Sequence, residues 1–122
     1  MTTSTHSPKI GVVGAGLIGR AWAMVFARAG LHVKIFDADA KALNACMGHI
    51  ETLVKDMHAA DLVQENPSAI VQRISPVNTL AEVCANVDLI QENIRETVEA
   101  KIDIFSKMDA LKANELLEAK IT

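Results

Sequence analysis

Apolar residues along this chain switch between two periodicities, and the switching marks out alternating strands and helices. Ile10, Val12 and Val13 form a short β-branched run, as a strand buried on both faces requires. Leu17, Ile18, Ala21, Val25 and Ala29 then recur at helical spacing, and Gly30 can end that helix with a positive φ. His32 to Phe36 reads as a second strand. From about Ala40 to Ala60 the pattern is helical again, with Leu43, Cys46, Ile50, Leu53 (with Val54) and Met57 along one face. Asp39 can cap this helix, because its carboxylate can take orphan N–H groups of the first turn. Asn66-Pro67-Ser68 interrupts, and a short helical or irregular piece, Ala69 to Gln72, leads to a third strand over Arg73 to Val77. Pro76 sits uneasily there, since proline cannot donate to a ladder. Thr79 can cap a short helix, Leu80 to Asn86. Asp88 to Ile94 reads as a fourth strand. A last helix from about Thr97 to Leu111 carries Val98, Ile102, Phe105 and Met108, joined by Leu111, as its buried stripe.

Strands alternating with helices predict a parallel sheet with right-handed crossovers. The first turn adds chemistry to this pattern. Gly14, Gly16 and Gly19 are spaced G-x-G-x-x-G between the first strand and the first helix. Glycine is common in loops, so the spacing means little without a strand before it and a helix after it; both are present. Gly14 permits the tight turn, Gly16 lets the backbone approach a pyrophosphate, and Gly19 lets the helix pack closely on the sheet. The free N–H groups of the first helical turn, at Leu17 and Ile18, and the helix dipole favour phosphate charge. Asp37 ends the second strand about 20 residues beyond the first glycine, where a carboxylate accepts the adenosine ribose hydroxyls. A carboxylate there repels a 2′-phosphate, which favours NAD over NADP. The bland alternative is a glycine-rich turn in some other βαβ protein.

The 122 residues amount to one domain. Half of them are apolar and only 3% aromatic, so the core must be aliphatic, which suits a parallel sheet covered by helices. A net charge of −3 without a basic cluster argues against nucleic acid as a partner. No apolar run is long enough to span a bilayer. Residues 1–8 are polar and lack the apolar core of a secretory signal, so a disordered lead-in is expected, with the dinucleotide-binding domain over 9–122. Cys46 and Cys84 have no metal-ligand spacing and fit reduced thiols of a cytoplasmic protein. His6, His32, His49 and His58 read as solvated or packed residues rather than a general base, and no metal site is assigned.

With these residues in hand, a resemblance emerges. The stretch GVVGAGLIGRAWAMVFARAG, with VKIFD after it, resembles the start of the 3-hydroxyacyl-CoA dehydrogenase family, and GRAWAMVFARAG is most similar to its branch containing λ-crystallin (L-gulonate 3-dehydrogenase) and carnitine dehydrogenases. A second match, DLIQENIRETVEAKIDIFSKMDAL from Asp88 to Leu111, resembles the family segment with a glutamate at the fourth strand's end and a lysine five residues later. The resemblance implies a Rossmann-type, doubly wound α/β fold with NAD as cofactor. It also implies that Glu96 and Lys101 contact the cofactor near its nicotinamide ribose. Glu96 falls just beyond a strand's carboxyl end, where open α/β sheets bind ligands; a surface pair on a first helical turn is the alternative. Glu92 matches a family position too, although a carboxylate inside a strand could simply be satisfied by backbone.

The same resemblance shows departures. Where the family has a fifth strand of the form AILASSTS, this chain offers ELLEAKIT. The family's catalytic histidine, in an H-x-x-N-P-type segment, and its orienting glutamate have no counterpart, so no catalytic residue is assigned. The sheet is therefore expected to stop after the fourth or fifth strand, without the family's helical C-terminal domain. The adenosine half of the site looks complete and the nicotinamide half does not. In the whole enzyme a 3-hydroxyacyl-CoA or a small 3-hydroxy acid would be oxidised to a ketone. This chain by itself is expected to bind NAD weakly without turnover, as a nucleotide-binding module or a truncated fragment. A flavin-binding domain would use the same glycines and gains nothing from Glu96 and Lys101. Arg20 either lies near the pyrophosphate or points to solvent. A sheet edge left open would expose apolar groups, so a homo-oligomer is a possible partner state.

Overall fold

The computed structural model describes residues 8–93 and 106–111. In chain order the elements are β1 (Lys9–Val13), α1 (Leu17–Arg28), β2 (His32–Phe36), α2 (Ala40–Ala59), α3 (Pro67–Val71), β3 (Ile74–Pro76), α4 (Leu80–Cys84) and β4 (Leu89–Glu92). Residues 106–111 are helical as well. The four strands form one parallel sheet in the order β3-β2-β1-β4. The chain builds outward from β1 to β3, then returns to the other side of β1 for β4. That reversal places a topological switch point at the carboxyl ends of β1 and β4, where open sheets bind ligands.

Among the described residues the strand and helix assignments hold, with shifted boundaries; Ile94 of the fourth strand and residues 97–105 of the expected last helix lie outside them. Asn66, Pro67 and Ser68 do not interrupt; they start α3, with the Asn66 side chain accepting from the Ser68 N–H at 3.0 Å and Pro67 in the first turn. Proline is well suited there because its missing N–H has no helical partner anyway. Pro76 is accommodated because β3 is an edge strand, where a missing donor leaves no ladder bond unmade. Thr79 caps α4 through the Glu82 N–H at 3.1 Å, while a Glu82 carboxylate oxygen accepts from the Thr79 hydroxyl. Asp39 caps α2 through the Lys41 N–H at 3.0 Å. Arg73 joins the start of β3 to the end of α1, donating to the Ala27 carbonyl at 2.8 Å and pairing through its fork with Glu65.

Among the described residues, one face of the sheet carries most of the core. Ile10, Val12 and Ile35 pack there against Ala23 and Ala27 of α1 and Ile50 of α2. The opposite face has a smaller cluster of Val13, Val83, Cys84 and Met108. Both cysteines are buried. On α1 the structure assigns the faces in a way the spacing alone does not indicate. Gly19, Ala23, Met24 and Ala27 are buried, whereas Leu17, Ile18, Ala21 and Val25 are exposed. The glycine turn sets this rotation, because a Cβ on Gly19 would overlap the Gly14 carbonyl. Gly19 must therefore face inward, and the residues one and two turns later follow it.

Candidate functional site

The site is assembled where β1 gives way to α1. Gly14 leaves β1 with φ of 101° and donates its N–H to the Phe36 carbonyl at 2.8 Å, so the turn is pinned to the end of β2. A side chain would be strained at that φ. Ala15 is buried, and its N–H donates to Oδ2 of Asp37 at 2.7 Å. The other oxygen of the same carboxylate accepts from the Asp39 N–H at 2.7 Å. Two short charge-assisted bonds thus fix the Asp37 carboxylate beside the glycine turn.

Gly16 is the N-cap of α1, has no side-chain cap bond, and no acidic residue occupies the first helical turn. The first intrahelical bond into the loop runs from the Arg20 N–H to the Gly16 carbonyl at 2.9 Å. The amides of Leu17, Ile18 and Gly19 belong to the turn that an α-helix leaves without internal acceptors. A Cβ built on Gly16 would meet nothing within 4 Å, so the approach to those amides is open. A positive helix end, unobstructed and uncapped, fits a pyrophosphate. Asp37, at the end of β2, stands beside that turn with its carboxylate oriented, as a ribose partner should.

Gly19 serves a partner other than the expected one. Its missing side chain makes room for the Gly14 carbonyl, so the close packing is between helix and turn. Asn93, which sequence reasoning passed over, borders the same place. Its N–H donates to the Val13 carbonyl at 2.9 Å, and its side-chain amide donates to Val13 at 3.2 Å and to the Gln91 carbonyl at 3.3 Å. Its backbone and Cβ stand 3.3 Å from where a Cβ on Gly14 would lie. Asn93 therefore fills the switch point between the ends of β1 and β4. Its place near the carboxyl end of the expected strand Asp88 to Ile94, at the ligand end of the sheet, was the available signal.

Arg20 lines a groove of about 270 Å³ between α1 and α2, together with His49 and Asp56. Burial pushes the Cys46 thiol above its ordinary range; nearby Arg20 opposes this and Asp37 adds to it. Arg20 is thus on the α2 side of the turn. A larger groove, about 410 Å³, opens near Lys9, His32 and Ser75 at the amino ends of the strands, away from the glycine turn. Glu96 and Lys101 lie outside the described residues. Among the described residues no three His, Cys, Asp or Glu side chains come together as a metal site.

A parallel sheet whose first turn is a glycine cradle on an uncapped helix, with a fixed carboxylate beside it, defines a dinucleotide-binding domain. The chain belongs to the family described as "3-hydroxyacyl-CoA dehydrogenase, NAD binding domain", which matches residues 9–120. NAD is accordingly the cofactor of this domain. The chain is 34% identical over 102 residues to λ-crystallin of Oryctolagus cuniculus, covering 82% of this chain and 32% of that one. It is 32% identical to an L-carnitine dehydrogenase/betainyl-CoA thioesterase of Rhizobium sp, covering 84% of this chain and 20% of the relative. Among solved structures, M. tuberculosis FadB2 superposes with a TM-score of 0.79 at 26% identity, covering 87% of this chain and 38% of that chain. The chain thus spans about a third of the length of its λ-crystallin relatives.

Proposed function

We propose that this chain holds NAD across the carboxyl ends of β2, β1 and β4. The amides at Gly16, Leu17, Ile18 and Gly19 take the pyrophosphate, with Gly14 shaping the turn. Asp37 takes the adenosine ribose hydroxyls and repels a 2′-phosphate. Glu96 and Lys101 take the nicotinamide ribose, a role supported by the family match over residues 9–120. Bound NAD supplies a hydride acceptor, and the protein's task in this segment is to place it. The domain runs over 9–122, with residues 1–8 as a lead-in.

The longer protein of this type oxidises a secondary alcohol to a ketone, on a 3-hydroxyacyl-CoA or a small 3-hydroxy acid. It works in the cytoplasm and as a homo-oligomer. Among the described residues no helix is long and apolar enough to cross a membrane. A nucleotide-binding role without turnover is the second reading for these 122 residues by themselves, favoured by the glycine turn and Asp37, which both serve nucleotide binding.

The observation that carries the cofactor reading is the 2.7 Å bond from the Ala15 N–H to Asp37, which locks the carboxylate beside the open end of α1. Calorimetric titration of the chain with NAD and with NADP tests it. NAD should bind at least about tenfold more tightly, a difference of about 1.4 kcal/mol. Equal affinity for the two nucleotides would remove Asp37 from the ribose site.

A further inference from the structure

Three arginines fall among the described residues, and two of them are spent on the fold. Arg28 donates to the Leu62 carbonyl at 3.0 Å, and Arg73 holds the Ala27 carbonyl and Glu65. Arg20 differs. Among the described residues its guanidinium makes no hydrogen bond or ion pair, although the side chain is half-buried. It lines the groove of about 270 Å³ between α1 and α2, where Asp56 stands without pairing with it. A guanidinium left unspent in this way is available to an incoming anion, and its planar fork suits a phosphate.

The helix aims this side chain. Arg20 is the fourth residue of α1, and its N–H closes onto the Gly16 carbonyl. Helical side chains lean toward the N-terminus, so the guanidinium reaches back toward the open end of α1. It does so on the flank facing α2, the helix into which Asp37 leads. The buried Cys46 thiol marks how near the two charges are: beyond burial itself, Arg20 and Asp37 both act on its pKa, in opposite senses.

We propose that Arg20 is a specificity-determining residue for the 2′ position of the adenosine ribose, standing where its fork pairs with a 2′-phosphate. This role rests on the cofactor reading and refines it. In dinucleotide sites an acidic residue selects the 2′-hydroxyl and an arginine accommodates a 2′-phosphate; here both stand together. Each Asp37 oxygen already accepts one backbone N–H, from Ala15 and from Asp39, and no ion pair ties the carboxylate to Arg20. The two charges therefore act on a ligand separately. With NAD, the carboxylate accepts from the 2′-hydroxyl and Arg20 meets no anion there. With NADP, the 2′-phosphate meets repulsion from Asp37 and attraction from Arg20 at once. The preference for NAD is thus a difference between opposed effects, set by Asp37 and eroded by Arg20. The pyrophosphate is the competing anion for this guanidinium. Its amides point along the axis at the end of α1, whereas Arg20 stands on the flank beside Asp37.

The experiment is calorimetric titration of the 122-residue chain and its variants with NAD and with NADP, read as the ratio of the two affinities, with circular dichroism to check folding. Arg20→Ala should lower NADP affinity about tenfold more than NAD affinity, which widens the ratio. Arg20→Lys keeps the charge without the fork and should recover part of that loss. Lys55→Ala removes an equal charge from the α3 side of α2 and should leave the ratio where it was. Asp37→Asn should bring NADP to at least the affinity of NAD, and adding Arg20→Ala should cancel that gain. If Asp37→Asn does not fold, the Arg20→Ala ratio decides by itself. An unchanged ratio in Arg20→Ala, or a loss shared equally by both nucleotides, overturns the proposal and leaves the cofactor reading intact; the equal loss would make Arg20 a pyrophosphate partner. An equal widening in Lys55→Ala also overturns it, as an effect of net charge. Absence of NAD binding to the folded parent overturns the cofactor reading, and this role with it.

Discussion

Among the described residues the two faces of the sheet are packed to different depths, and the difference shows where the candidate site draws its support. On the first face α1, α2 and α3 close over Ile10, Val12, Val33 and Ile35, and Ile50, Val54 and Ile70 are fully buried. On the second face α4 and residues 106–111 contribute Val83, Cys84 and Met108 against Val13, with Leu80, Ile90 and Leu111 only partly buried. The first face carries the glycine turn and Asp37. The second adjoins β4, the outermost of the described strands on that side, whose Leu89 is half exposed. The adenosine half of a dinucleotide site therefore rests on a finished core.

The largest effect should come from the turn itself. Gly19→Ala puts a Cβ onto the Gly14 carbonyl oxygen, a backbone atom that cannot move without opening the turn. The expected outcome is a loss of about 3 kcal/mol in urea unfolding and no detectable NAD binding. A variant with parent-like stability and affinity would show that the helix can shift freely.

Matched truncations compare the faces directly. Val54 and Val83 are both fully buried. Val54→Ala should cost about 2.5 kcal/mol, whereas Val83→Ala should cost about 1 kcal/mol because its partly exposed surroundings can settle into the gap. Equal costs in denaturant unfolding would mean that the second face is as well packed as the first.

A smaller effect is expected at the switch point. Asn93→Ala removes the side-chain donor shared by the Val13 and Gln91 carbonyls, at about 1 kcal/mol. It should also weaken NAD several-fold in calorimetry, since β4 then holds the end of β1 through backbone bonds alone. Unchanged affinity would make Asn93 purely a strand-end residue.

The smallest effect lies far from the site. The Arg73 guanidinium holds the Glu65 carboxyl below its ordinary range. A folded-state value below the unfolded one means that this contribution is present above the ordinary glutamate range and fades as pH falls through the folded value. Thermal midpoints of the parent and Glu65→Gln should differ slightly at neutral pH and converge in acid. A gap that widens in acid would contradict the pairing.

The alternation of strands and helices was legible because each element has its own period and each boundary its own cap, such as Asp39 and Thr79. The rotation of α1 was not. Nearly every residue from Leu17 to Ala27 is apolar, so two faces satisfy the same spacing, and the overlap between Gly19 and Gly14 chooses between them. The glycines and Asp37 could be read as a site because local geometry defines a turn and a strand end. The bond that ties Asp37 to Ala15 joins residues 22 apart, and the one from Asn93 to Val13 joins residues 80 apart. Such contacts exist only once the sheet order is set.

Backbone amide chemical shifts, followed by nuclear magnetic resonance as NAD is added, test most directly where the nucleotide binds. The largest changes should fall at Ala15, Gly16, Leu17, Ile18 and Gly19, with Asp37 beside them, while Lys9 and His32 at the other end of the strands stay still. Shifts centred on Lys9, His32 and Ser75, or none in a folded chain at saturating NAD, would contradict the assignment of the glycine turn as the cofactor site.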